Sequence, residues 1–253
     1  MFRGPDGLQQ RRHVLVIGAP RSGTTLLATI IGRHSEVGMM NEDITGRGLR
    51  KVLGRTITGN KLCIPNQIQL ERASRFGWRW LKKLGVVGEA PRSQYSITDY
   101  LQLPKLKVVA IIRHGNDSIS SMMVRGKSKL KKAVRRWAEA IETIGELKRS
   151  YADRLLVVNF EDLVLSPEKT VREICRFLEI NFEAQMLDGY LYNAKYPETR
   201  FNAEKAYRCV KENRELGVEV LAPAAVRIYE NLLSGQRQRR APKEVARKTV
   251  SHN

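Results

Sequence analysis

Apolar and polar positions follow two rhythms along this chain. His13–Gly18 (HVLVIG), Lys107–Ile112 (KVVAII) and Arg154–Phe160 (RLLVVNF) are short, nearly continuous apolar runs. Runs of this length predict buried strands. Between them the period lengthens. Ala19–Gly23 reads as a loop, and Thr24–His34 as a helix. Leu130, Val134, Trp137, Ile141 and Ile144 recur at spacings of four and three, the stripe of an amphipathic helix. Ser166 is the expected cap of a further helix with Pro167 at its first position, and Val171, Ile174, Cys175 and Leu178 form its apolar face. A last helix is expected from Pro223 to Gly235. No repeat of fixed period occurs. Strand–helix alternation predicts an α/β fold of three layers, a central parallel sheet flanked by helices. In such sheets ligands bind beyond the carboxyl ends of the strands. The expected organisation is a basic N-terminal tail (1–12), a single domain (13–235) and a basic C-terminal tail (236–253).

The segment after the first strand carries the sharpest chemistry. It reads Gly18-Ala19-Pro20-Arg21-Ser22-Gly23-Thr24-Thr25, a GxxxxG loop between a strand and a helix. A ring of backbone N–H groups at a helix N-terminus binds a phosphate-like anion, so the fold is expected to be P-loop-like. A nucleoside triphosphatase or kinase needs Lys after the second Gly, with Mg²⁺ held by the next hydroxyl. Here that position is Thr24, and the cation stands earlier, at Arg21. The loop therefore predicts binding of a phosphate-like group without Mg²⁺. A P-loop kinase is the rival reading, and Thr24 counts against it.

Pro20-Arg21-Ser22-Gly23-Thr24-Thr25-Leu26 resembles the 5′-phosphosulfate loop of sulfotransferases that use 3′-phosphoadenosine 5′-phosphosulfate (PAPS). The resemblance covers roughly residues 13–180, and implies that Pro20, Arg21, Ser22, Gly23, Thr24 and Thr25 bind the donor. In that family the strand matching KVVAII is followed by an Arg, and by a Ser eight residues later, which bind the 3′-phosphate. Arg113 and Ser121 have this spacing, and a guanidinium fork with a hydroxyl suits a phosphate. The family pattern is closer to RDPRD, whereas this chain has RHGND, so Asn116 removes a second cation. Asn159-Phe160-Glu161-Asp162-Leu163 resembles the family's Y-E-D-L segment, which implies that Phe160 lines the nucleotide; plain core is the alternative.

Sulfuryl transfer needs a base beside the transferring group. In the tyrosylprotein sulfotransferases, which Met39–Asp43 resembles most, a GEE segment at the same distance from the loop carries the catalytic Glu. That position is Glu42, with Asn41 in place of the first Glu. The resemblance implies Glu42 as general base; a surface or capping carboxylate is the ordinary alternative, and Asp43 is a neighbouring candidate or a helix cap. His34 matches a structural His of the family. His13 begins a strand, His252 lies in the tail, and His114 reads as a loop residue beside the 3′-phosphate motif. The family's K-x-P segment, whose Lys stabilises the transition state, has no direct match in Gly88–Ser93. Lys61 is the substitute if an insertion is allowed, although a solvated surface Lys is its ordinary reading. Arg21 is the other candidate for that role.

The chain has 253 residues, with 45 Lys+Arg against 26 Asp+Glu and a formal net charge of +19. Such an excess speaks to partners rather than to fold. It suits PAPS itself and an anionic acceptor, whether small molecule, glycan, lipid or peptide. A basic nucleic-acid-binding module is the rival of another class. It is disfavoured because the cations are spread along the chain and aromatic residues are 7%. Cys63, Cys175 and Cys209 give neither a disulfide framework nor a metal pair, and a reducing compartment follows. No His/Cys/Asp cluster has ligand spacing, so no metal is expected. No apolar run of about 18 residues indicates a transmembrane helix, and Met1–His13 is no secretory signal. The expected location is cytoplasmic and the expected source bacterial. Residues 44–85 and 183–220 carry no assignable motif; in the family this chain resembles, such variable segments build the acceptor site. There Trp78 and Trp80 either stack on a ring or pack in the core. The resemblance as a whole implies a PAPS-dependent sulfotransferase acting on a hydroxyl or amine, with Glu42 and Arg21 catalytic.

Overall fold

Val14, Leu15, Val16 and Ile17 are all buried, because the strand they form, β1 (Arg12–Gly18), is covered on both faces. The computed structural model describes residues 11–46, 55–71, 92–190 and 217–240. β1 is central in a five-stranded sheet with β2 (Val37–Asn41), β3 (Ile57–Cys63), β4 (Leu106–Ile112) and β5 (Leu155–Asn159). The order is β2-β3-β1-β4-β5 and every pairing is parallel.

Successive side chains of β1 feed two separate cores. Val14 and Val16 join the face covered by α1 (Thr24–Gly32) and by α6 (Pro167–Leu178), which α5 (Phe160–Leu165) precedes. Leu15 and Ile17 join the opposite face. That face is covered by α2 (Ile97–Leu101), α3 (Gly115–Val124), α4 (Leu130–Ser150), α7 (Val218–Leu221) and α8 (Pro223–Arg240). The result is the expected three-layer α/β arrangement around a parallel sheet. The chain leaves β1 for α1 on one face and β4 for α3 on the other. The carboxyl ends of these adjacent strands therefore flank a crevice, the place where open α/β sheets bind ligands.

The structure differs from the sequence expectation in several places. β2 and β3 are strands without an apolar strand signal, because Gly38, Gly59, Asn60 and Lys61 interrupt the pattern. Lys61 is not a solvated surface residue: it is 1% exposed within β3. Pro167 does open α6, but the Ser166 side chain makes no capping bond. Leu130 starts α4 as expected, yet is 38% exposed, while Trp137, Ile141 and Ile144 are buried. The last helix runs to Arg240 rather than ending at Gly235, so the first five residues of the expected C-terminal tail are helical. Trp78, Trp80, Glu89, Pro91, Cys209 and His252 lie outside the described residues. Among the described residues no helix is long and apolar enough to cross a membrane.

Candidate functional site

The β1–α1 loop turns on two glycines that nothing larger can replace. A Cβ on Gly18 would lie 2.5 Å from the Ile111 carbonyl oxygen in β4. Gly23, the N-cap of α1, has φ 95°, and its Cβ would lie 2.5 Å from the Phe160 ring. With Gly23 left-handed, no side chain caps α1 and no acid stands in its first turn. A helix N-terminus built this way attracts an anion. This is the observation that tests the fit of a phosphosulfate: the donor set is backbone N–H and cationic, and no carboxylate competes at the helix start.

The loop's side chains divide by direction. Ser22 and Thr24 are buried; the Ser22 hydroxyl is 3.1 Å from that of Ser118, and Thr24 Oγ1 is 3.5 Å from Cys63 Sγ. Ser118 Oγ also donates to the Pro20 carbonyl at 3.4 Å. Thr24 thus points into the protein beneath the loop, where a kinase lysine would need to point outward. Arg21 is exposed, with φ 69°, and Thr25 is half-buried.

The two expected anion motifs meet. Arg21 Nε donates to Ser121 Oγ at 3.2 Å, and Arg113 Nη1 donates to the Arg21 carbonyl at 3.2 Å. The Arg113 guanidinium lies 4.4 Å from the Phe160 ring centroid and 4.0 Å from Asp117 Oδ2. Trp137 Nε1 donates to the Arg113 carbonyl at 3.1 Å, fixing the end of β4. Phe160 is itself 3% exposed. Its ring packs against Gly23 and Arg113. Asn116, where the family pattern has a cation, turns its Oδ1 to the Val218 backbone N–H at 3.3 Å.

Glu161 belongs to the segment that carries Phe160, and the sequence alone gives it no distinct role. Its Oε1 accepts from the His114 backbone N–H at 3.0 Å, at the N-terminus of α3. Burial pushes this carboxyl up to about 7, against the lowering effect of that bond and of Arg113. His114 offers a backbone donor here, and its ring packs edge-on to Tyr229 of α8 at 6.0 Å. His34 is 2% exposed with Nε2 2.9 Å from the Asn181 carbonyl, a structural position.

Glu42 follows β2 directly, with φ 61°. Its backbone N–H donates to the Lys61 carbonyl at 2.9 Å, and its Oε1 is 2.8 Å from Lys61 Nζ. The neighbouring rung repeats the pattern. Asp43 N–H donates to Asn60 Oδ1 at 3.2 Å, and Asn60 Nδ2 donates to the Asp43 carbonyl at 2.9 Å and to the Tyr100 hydroxyl at 3.0 Å. Asp43 caps no helix; its Oδ1 accepts from Thr45 N and Oγ1 in a turn. β3 thus holds the segment expected to carry the base. The polar pair Asn60-Lys61 is the sequence signal for this, although the ordinary reading of Lys61 is a solvated surface residue.

Residues 97–184 match the model of the sulfotransferase family. Protein-tyrosine sulfotransferase 1 of Danio rerio is 26% identical over 197 residues, 69% of this chain and 55% of the relative. The protein-tyrosine sulfotransferase of Drosophila melanogaster is 23% identical over 195 residues, 69% of this chain and 39% of the relative. The chain thus spans about half the length, or less, of these curated relatives. The sulfotransferase domain from the Synechococcus PCC 7002 olefin synthase is similar in fold. It has a TM-score of 0.55 and 17% identity, over 92% of this chain and 98% of that one.

Proposed function

We propose that this chain is a sulfotransferase, on the match of residues 97–184 to the sulfotransferase family model and on its distant similarity to protein-tyrosine sulfotransferases, and that it moves a sulfuryl group from PAPS to an acceptor hydroxyl. The observation that carries the reading is the convergence of the two anion motifs at the β1–β4 crevice. Arg21 on Ser121 and Arg113 on the Arg21 carbonyl make one cationic floor from two loops.

In this reading the N-terminus of α1 and Arg21 take the 5′-phosphosulfate, while Arg113 and Ser121 take the 3′-phosphate. Glu42 removes the acceptor proton as the acceptor oxygen attacks sulfur. The bond between sulfur and the bridging phosphate oxygen breaks, and its electron pair leaves with adenosine 3′,5′-bisphosphate (PAP). Arg21 and the loop amides stabilise the charge that develops there. Phe160 acts through Arg113, which it supports. The similarity to protein-tyrosine sulfotransferases and the chain's net charge of +19 favour an acidic tyrosine peptide over the glycan, lipid or amine alternatives.

The test is mass spectrometry of an acidic tyrosine peptide incubated with the protein and PAPS. The reading expects a sulfated peptide and one PAP per peptide modified, both lost in Arg113→Ala. Phosphate transfer from ATP–Mg²⁺ to the same peptide, without sulfation, would replace it with the kinase reading.

A further inference from the structure

We propose that Lys61 is a positioning residue for Glu42, holding the base by its carboxylate instead of contacting the transferring sulfuryl group. The inference rests on the assignment of Glu42 as base. A lysine 1% exposed inside a sheet is costly unless its charge is matched. Here the match is Glu42 Oε1 at 2.8 Å, with the Glu42 side chain 25% exposed at the sheet's carboxyl edge. The difference in burial gives the pair a direction: the cation is inside, and the carboxylate is the partner that reaches solvent.

The backbone reinforces this direction. Asn41 of β2 is paired with Lys61 of β3, and the ladder's next bond is Glu42 N–H to the Lys61 carbonyl at 2.9 Å. Glu42 is therefore held at both ends by one residue. Its left-handed backbone, φ 61°, is uncommon for a non-glycine residue and persists where surroundings over-determine it. The Asn60–Asp43 pair clamps the next residue in the same way. Two consecutive residues of β3 thus use their side chains to set the chain that follows β2.

The electrostatic consequence is that Lys61 favours the ionised carboxylate, the form able to accept a proton. When Glu42 takes the proton, Oε–H forms and the acceptor O–H breaks as the acceptor oxygen bonds to sulfur. This differs from a cation on the sulfuryl group, which acts on the transition state without touching the base.

Two readouts separate these roles. The first needs no acceptor: infrared difference spectra of the whole protein with PAP, titrated with acid. The protonated-carboxyl band of Glu42 is the one absent in Glu42→Gln. It is expected to emerge at higher pH in Lys61→Met than in the unsubstituted protein. The second is transfer from PAPS to the tyrosine peptide. There kcat is expected to fall roughly 10- to 100-fold in Lys61→Met, with KM for PAPS within about twofold. In the Glu42→Gln background the same change is expected to have no further effect. Lys61→Gln, which retains a donor without the charge, gives the same band shift and serves if the Met variant does not fold. A band unmoved while kcat falls would overturn the inference and make Lys61 a cation on the transferring group. A Glu42→Gln enzyme that keeps full kcat while the band still shifts would remove Glu42 as base and Lys61's positioning role with it, leaving only a structural ion pair.

Discussion

Glu42 and Glu161 are two carboxylates in opposite surroundings, and their chemistry follows from that contrast. Glu42 faces a buried ammonium, whereas Glu161 is buried beneath a helix start with its pKa raised to about 7. For Glu42→Gln we expect kcat to fall by about 10²–10⁴, with PAP binding retained, as measured by initial rates and thermal shift. For Glu161 the expected effect is on stability. Its folded pKa lies above the unfolded value of 4.5, so the folded state binds more protons between these values. Stability then falls as pH rises from 4.5 toward 7 and is level above. A shift of this size corresponds to an order of magnitude of about 3 kcal/mol. Urea midpoints at about pH 5 and about pH 8 should differ in this direction. In Glu161→Gln that part of the difference should vanish, while an amide oxygen still accepts from His114.

The β1–α1 loop and strand β3 show what an element demands of its sequence. Gly23→Ala forces a Cβ into a left-handed residue and 2.5 Å from the Phe160 ring. Strain and overpacking together predict a loss of roughly 2–4 kcal/mol in denaturant unfolding. Gly23→Ala with Phe160→Leu should recover only the packing share, because φ stays at 95°. The loop was legible in the sequence because its glycines and Arg21 form a local string. β1, β4 and β5 were legible for a similar reason: strands buried on both faces are apolar throughout, and need no knowledge of their neighbours. β2 and β3 were not. Their polar positions are stabilised by partners distant in sequence, Lys61 by Glu42 and Asn60 by Asp43 and Tyr100. A single-strand pattern cannot display such pairings. The Ser166 cap failed because a permitted residue type does not guarantee the bond. Local propensity also ended the last helix too early, at Gly235, although α8 packs against α4 and continues to Arg240.

On the scale of the whole molecule, the sheet order brings the candidate motifs to one edge of the sheet. Parallel strands put the ends of β1, β2, β3, β4 and β5 on one edge. The β1 and β4 loops touch through Arg21, Arg113, Ser118 and Ser121, while Glu42 is tied to β3 beside them. This meeting was expected from motif order, but the contacts themselves required the fold. The +19 charge predicts in addition that PAP binding weakens as salt rises, because exposed charges are screened within about 10 Å at 0.1 M ionic strength.

The most direct measurement is thermal unfolding of the full chain titrated with PAP, against ATP plus Mg²⁺, at constant salt. At about a hundred times its dissociation constant, PAP should add roughly 2.7 kcal/mol of stability. The account predicts a saturable rise in Tm with PAP that is lost in Arg113→Ala and absent with ATP–Mg²⁺. A protein indifferent to PAP, or one that responds equally to ATP–Mg²⁺, would contradict it.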